Sequence, residues 1–235
     1  MPDAELLTIL GLGFVLGLRH ALDTDHIAAV STVLAQRPSV RASGMIGLSW
    51  GLGHTLVLLL VGALVLVLRV QISESVALAA EFGVGAMLVV LGSALAVKLS
   101  REQWHLHAHE HDGERHLHLH SHQLITDHRH PHWLRDSVQP LCIGMAHGLA
   151  GSAALLLVVL STAKSLITGL LYIAIFGAGS ILGMMLIGLA ISVPVLWSLS
   201  VGRRVFLAVQ GLASLGSIGL GITIMVRIAA GDPLL

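Results

Sequence analysis

Long runs of this chain carry no charged residue, and that feature leaves few folds open. Residues 42–68, 138–163 and 165–202 contain no Asp, Glu, Lys or Arg, and 82–97 and 205–226 are equally free of charge. A membrane-spanning helix needs about 20 mostly apolar residues. Over all 235 residues only 11% are charged, against about 25% in a soluble domain, so a fully wetted globular protein is excluded. Thirteen Lys+Arg balance thirteen Asp+Glu, which leaves no basic patch for nucleic acid. The single cysteine, Cys142, excludes a disulfide framework and a CxxC zinc site.

The pattern predicts an all-α polytopic membrane protein with about six transmembrane helices. Five are the charge-free runs, and the sixth is 5–34, apolar except for one polar cluster. The run 165–202 is too long for one span at about 1.5 Å per residue, so Pro194 is expected to end that helix and leave Val195–Val201 in the interface. The chain opens with Asp3 and Glu5 rather than basic residues, so no signal peptide is expected. Nine Lys and Arg fall in the first, third and fifth loops, and three (Arg69, Lys164, Arg227) on the other side. The positive-inside rule then puts both termini outside and the third loop in the cytoplasm.

The chain also repeats itself. Gly17-Leu-Arg-His20 recurs as Gly144-Met-Ala-His147. Trp50-Gly-Leu-Gly-His54 recurs as Phe176-Gly-Ala-Gly-Ser180, and Glu81 aligns with Gln210. The expected organisation is a 3+3 inverted repeat, with a first three-helix half at 1–99, a linker at 100–136 and a second half at 137–235. Secondary transporters are built on this plan, with sites near the bilayer midplane.

Chemistry concentrates in Arg19-His20-Ala-Leu-Asp23-Thr-Asp25-His26. A charge at the bilayer centre costs roughly 2.5–3.5 kcal/mol, so these groups must face protein, water or an ion. On a straight helix His20, Asp23 and His26 share one stripe and Asp25 lies off it. Either Asp25 serves another partner, such as Arg19, or the helix breaks here. Two imidazoles and a carboxylate suit a borderline divalent metal: Ni2+, Co2+, Zn2+ or Cu2+. His54, in Gly51-Leu-Gly53-His54-Thr55, and His147 are further candidate ligands. Thr55, Ser152 and Ser180 offer oxygen, Glu81 suits the interface, and Cys142 is expected to be structural. The alternative for all of them is a buried polar network that pins helices together.

The other eleven of the fifteen histidines alternate along the third loop: His105, His107, His109, His111, His116, His118, His120, His122, His128, His130 and His132. Few residues there could build a core, so the segment reads as a mobile linker that gathers divalent ions with modest affinity, an accessory metal buffer.

The His20-x4-Asp25-His26 pattern resembles the signature of the nickel/cobalt transporter (NiCoT) family and its shorter NicO/UreH-like branch, and Gly-Leu-Gly-His54-Thr-Leu-Val resembles that family's second histidine segment. Typical members have eight spans and an acidic Gly-x-Asp-Thr-Ala-Thr-Glu segment. Here six spans are expected, and Gly144-Met-Ala-His147 stands in its place. The resemblance implies uptake of Ni2+ or Co2+ as transported cargo through the cytoplasmic (inner) membrane, with no permanently bound cofactor and with Zn2+ as a further candidate. It implies partners among cytoplasmic nickel chaperones or urease and hydrogenase maturation proteins. The rivals are an exporter of the same fold, a non-transporting accessory protein, and a metal-dependent membrane enzyme. The last is disfavoured because His-Glu-x-x-His does not occur.

Overall fold

The structure, a computed structural model, describes residues 2–70, 72–102, 107–111, 114–118, 133–150 and 165–231. Among these are seven helices: α1 (Pro2–His20), α2 (Thr24–Ala35), α3 (Val40–Leu68), α4 (Glu74–Glu102), α5 (Trp133–Ala150), α6 (Leu166–Val201) and α7 (Arg203–Ala229). Helices α3, α4, α6 and α7 are each long and apolar enough to cross a membrane, and α1 with α2 is long and apolar enough to make a fifth if the bent pair is one span. Their outer faces carry large apolar side chains such as Leu212, Leu215 and Val90. A soluble surface avoids such patches and a lipid-facing one requires them. The chain is thus a multi-pass membrane protein. Of the expected fourth span, 138–163, residues up to 150 belong to α5 and the rest lie outside the described residues.

The first span is broken, and the break explains the motif's spacing. Leu22 and Asp23 donate backbone N–H bonds three residues back, to Arg19 and His20, so the last turn of α1 tightens and stops. Asp23 is extended (φ −61°, ψ 144°) and α2 starts afresh at an angle of 54° to α1. Asp25 falls in the first turn of α2, where the exposed N–H groups favour a negative charge. The straight-helix stripe of His20, Asp23 and His26 therefore does not form.

Two further expectations are corrected. Helix α6 does not end at Pro194; it continues to Val201 and stops at Gly202, whose φ of 141° suits glycine. Proline removes one backbone bond, but in a membrane helix neighbouring groups can re-satisfy the freed carbonyl. The histidine-rich segment is not without secondary structure either. Strands β1 (His107–His111) and β2 (Glu114–His118) pair antiparallel, with His107 opposite His118 and His109 opposite His116. The alternating pattern has the two-residue period that a strand needs. His105, His120, His122, His128, His130 and His132 lie outside the described residues.

Helix α3 is the hub, packed on α5 and α6, while α1 lies on α6 and α4 on α7. The approaches are close enough for backbone to meet backbone. A Cβ on Gly17 would strike the carbonyl of Phe176, and one on Gly144 that of Trp50. Hydroxyls stitch the helices together: Thr55 donates to Gly177 O at 3.3 Å, Ser214 to Gly92 O at 2.8 Å and Ser217 to Leu88 O at 2.9 Å. Small and hydroxylated residues hold membrane helices in this way.

Gly17→Ala should therefore destabilise the folded protein by about 1–3 kcal/mol, the usual range for overpacking, read as a lower Tm in detergent. Gly11→Ala, where nothing lies within 4 Å of the added carbon, should leave Tm unchanged or slightly raised.

Candidate metal centre

Four histidines lie outside the 105–132 segment, and the fold brings all four together. His20 ends α1, His26 lies in the first turn of α2, His54 is mid-way along α3, and His147 is in the last turn of α5. Ring centroids are 4.8 Å apart for His20–His26, 5.1 Å for His20–His54, 5.5 Å for His26–His54 and 4.6 Å for His26–His147. His26, His54 and His147 are fully buried and His20 is partly so.

Two carboxylates order these rings. Asp23 Oδ2 accepts from His20 Nδ1 at 2.7 Å. Asp25 Oδ1 accepts from the backbone N–H and the Nδ1 of His26, at 2.9 and 3.0 Å, and its Oδ2 accepts from His147 Nε2 at 3.2 Å. An ionised carboxylate only accepts, so each bonded ring nitrogen carries the proton and the other nitrogen keeps a free lone pair. His26 Nε2, both nitrogens of His54 and His147 Nδ1 are buried with no hydrogen-bond partner among the described residues. Buried polar atoms are normally paired. A cluster of unpaired imidazole nitrogens beside a carboxylate is a cation-binding arrangement. Two overlapping groups qualify by distance: His20, His26 and His54, and Asp25, His26 and His147. The ligand atoms within each group lie within 4.8 Å of one another.

The sequence candidates divide accordingly. His20, Asp25, His26, His54 and His147 converge, and Asp25 finds His26 and His147 as partners. Asp23 is half-exposed and reaches the cluster through His20. Thr55 is spent on Gly177 O. Ser180 is buried, its hydroxyl unpaired among the described residues. Cys142 is exposed, and Ser152 lies outside the described residues. The rings of Phe176, 5.5 Å from His20, and Trp50, 5.3 Å from His147, wall the cluster. Reading the motifs missed them as site residues, although the repeat had already aligned these two aromatics with each other.

Fold and centre together define a multi-pass membrane protein with a buried imidazole–carboxylate cluster that could hold a cation. The family model described as NicO, high-affinity nickel-transport protein, matches residues 6–230, and the chain belongs to that family. It is a membrane nickel/cobalt transporter, from a family of transporters rather than of enzymes. Among its relatives is the urease accessory protein UreH of a Bacillus species, 39% identical over 195 residues that cover 83% of this chain and 80% of the relative. A high-affinity nickel transport protein of Cupriavidus necator is 38% identical over 85 residues, 36% of this chain and 24% of that one. A Methanocaldococcus jannaschii protein named for nickel/cobalt efflux is 26% identical over 185 residues, 76% of this chain and 72% of that one. No solved structure matches.

A ligand that binds only the folded state raises stability by RT ln(1 + [L]/Kd), about 2.7 kcal/mol at 100 times Kd. Ni2+ should accordingly raise the Tm of the purified protein. His26→Ala, which removes the ring common to both groups, should abolish that rise while leaving the metal-free Tm within a few degrees of wild type.

Proposed function

We propose that this protein carries Ni2+ or Co2+ inward across the cytoplasmic membrane, through the buried cluster, by alternating access. The observation that carries the reading is the convergence of all four histidines outside the 105–132 segment with Asp25, at the break of the first span. Such groups are too costly in a membrane to be incidental, and irregular backbone at that depth is the usual setting of a transport site. The cation sheds water and takes imidazole nitrogens with a carboxylate oxygen. Zn2+ fits the same donors less selectively.

Two inverted halves of three spans, 1–99 and 137–235, would rock about this site, joined by the 100–136 linker. The reciprocal glycine contacts support that plan. Gly17 meets Phe176 as Gly144 meets Trp50, and Gly53 meets Leu141 as Gly179 meets Phe14. Each pair maps onto the other when the sequence repeats are superimposed. In the same way α1 lies on α6 as α5 lies on α3. The histidine-rich segment, cytoplasmic by its arginines, buffers ions leaving the site. The name of the Bacillus relative favours delivery to nickel chaperones or urease maturation proteins.

Efflux is the second reading, because one relative carries an efflux name. Flux direction decides between them. Cells expressing the protein in micromolar Ni2+ should accumulate metal, and His20→Ala should cut the accumulation at least tenfold. Depletion with raised nickel tolerance would reverse the direction. Imidazole binds metal only when neutral, so initial uptake should fall as pH drops through the range where histidine protonates and reach a plateau above it. Deleting residues 105–132 should leave the initial rate within about twofold and lower the metal retained; loss of all turnover would remove the buffer role.

A further inference from the structure

We infer that the histidine cluster is two overlapping cation sites with His26 as their shared pivot, so that one ion steps from the His20/His26/His54 group to the Asp25/His26/His147 group as it crosses. The inference rests on the transport reading above and adds an order of events to it.

The geometry of His26 carries the argument. Its Nδ1 lies 3.0 Å from Asp25 Oδ1 and its Nε2 is unpaired, so the ring offers a different nitrogen to each group. In the first group the ion takes Nε2 of His26, with lone pairs from His20 and His54. Asp25 then holds the proton on Nδ1 and fixes the ring, as carboxylates do behind metal-binding histidines. In the second group the ion replaces the hydrogen bonds that Asp25 now makes. A cation with ligands at about 2.1 Å keeps neighbouring ligand atoms about 3 Å apart. The Asp25–His26 and Asp25–His147 separations, 3.0 and 3.2 Å, already match that spacing.

Moving the ion therefore needs a tautomer shift and no net proton. As Nδ1 of His26 becomes a ligand it gives its proton to a water molecule entering with the ion, and water returns one to the Nε2 that the ion has left. His147 likewise ligates through Nε2 and carries its proton on Nδ1. A neutral imidazole cannot give a lone pair from both nitrogens, so occupancy of one group excludes the other. The two groups also draw on different elements. His54 belongs to α3, His147 to α5, and His20 and His26 flank the break between α1 and α2. The ion would give up His20 and His54 of the first half for Asp25 of the same half and His147 of the second, while His26 keeps hold of it.

His147→Gln tests this in the full-length protein. The glutamine amide can still donate to Asp25 but is a poor ligand. If His147 ligates the ion, this variant should keep the Ni2+-dependent rise in Tm through the first group yet transport Ni2+ into liposomes at least tenfold more slowly. Transport at the wild-type rate would reduce His147 to a hydrogen-bond partner and overturn the inference. His54→Gln is the converse variant, and it decides the matter if His147→Gln does not fold. It should lose transport but keep a Ni2+-dependent rise through the second group. Loss of that rise would mean that the five side chains form one site. Failure of the wild type to move Ni2+ into liposomes would count against the transport reading, and the two binding outcomes would still separate one site from two.

Discussion

A carboxylate inside a membrane has to replace the hydrogen bonds of water, and the arrangement around Asp25 does it with three N–H groups. Two come from His26 and one from His147. The first pair is local, made possible by the start of a new helix next to the acid. The third reaches from a helix more than 120 residues away in sequence. That single side chain therefore fixes the tautomer of two rings and ties the kink of the first span to α5. Without the kink, Asp25 would lie on the side of its helix opposite the histidines. Without His147 it would face an apolar interior half-satisfied.

Helix packing is arranged to leave these polar groups their room. Where α1 meets α6 and α5 meets α3, glycine lets the backbones touch. The rings of Trp50 and Phe176 close the cluster. The remaining polar side chains of the interior are mostly hydroxyls and are spent on neighbouring carbonyls, with Thr55 on Gly177 as one example. Of the seven buried side-chain polar atoms without a hydrogen-bond partner among the described residues, four are imidazole nitrogens of His26, His54 and His147.

Much of this was legible in the sequence. The charge-free runs gave the membrane class and most of the spans, because hydropathy over twenty residues outweighs any local preference. The His20/Asp25/His26 cluster was legible because charge in an apolar run is costly. What failed was local. Pro194 looked like a stop, but helix termination in a bilayer depends on whether neighbours satisfy the freed carbonyl, and that is a tertiary fact. The straight-helix stripe favoured Asp23 over Asp25, since a periodicity argument assumes the unbroken helix that Asp23 itself interrupts. Phe176 and Trp50 escaped notice as site residues because aromatic side chains in an apolar run look like ordinary core. The β-hairpin was hidden behind a composition that suggests no core, although its alternation was written in plain view.

The junction between α6 and α7 has a mechanical consequence. A single residue, Gly202, separates a 36-residue helix from a 27-residue one. At about 1.5 Å per residue the first is roughly 54 Å long, well over the thickness of the hydrocarbon. Levers of that length joined by so short a coupling cannot swing independently. Tilting α6 against α1 and α3 drags the start of α7, and with it the seam on α4. Helices α6 and α7 are therefore geared, so that a tilt of one is passed to the other.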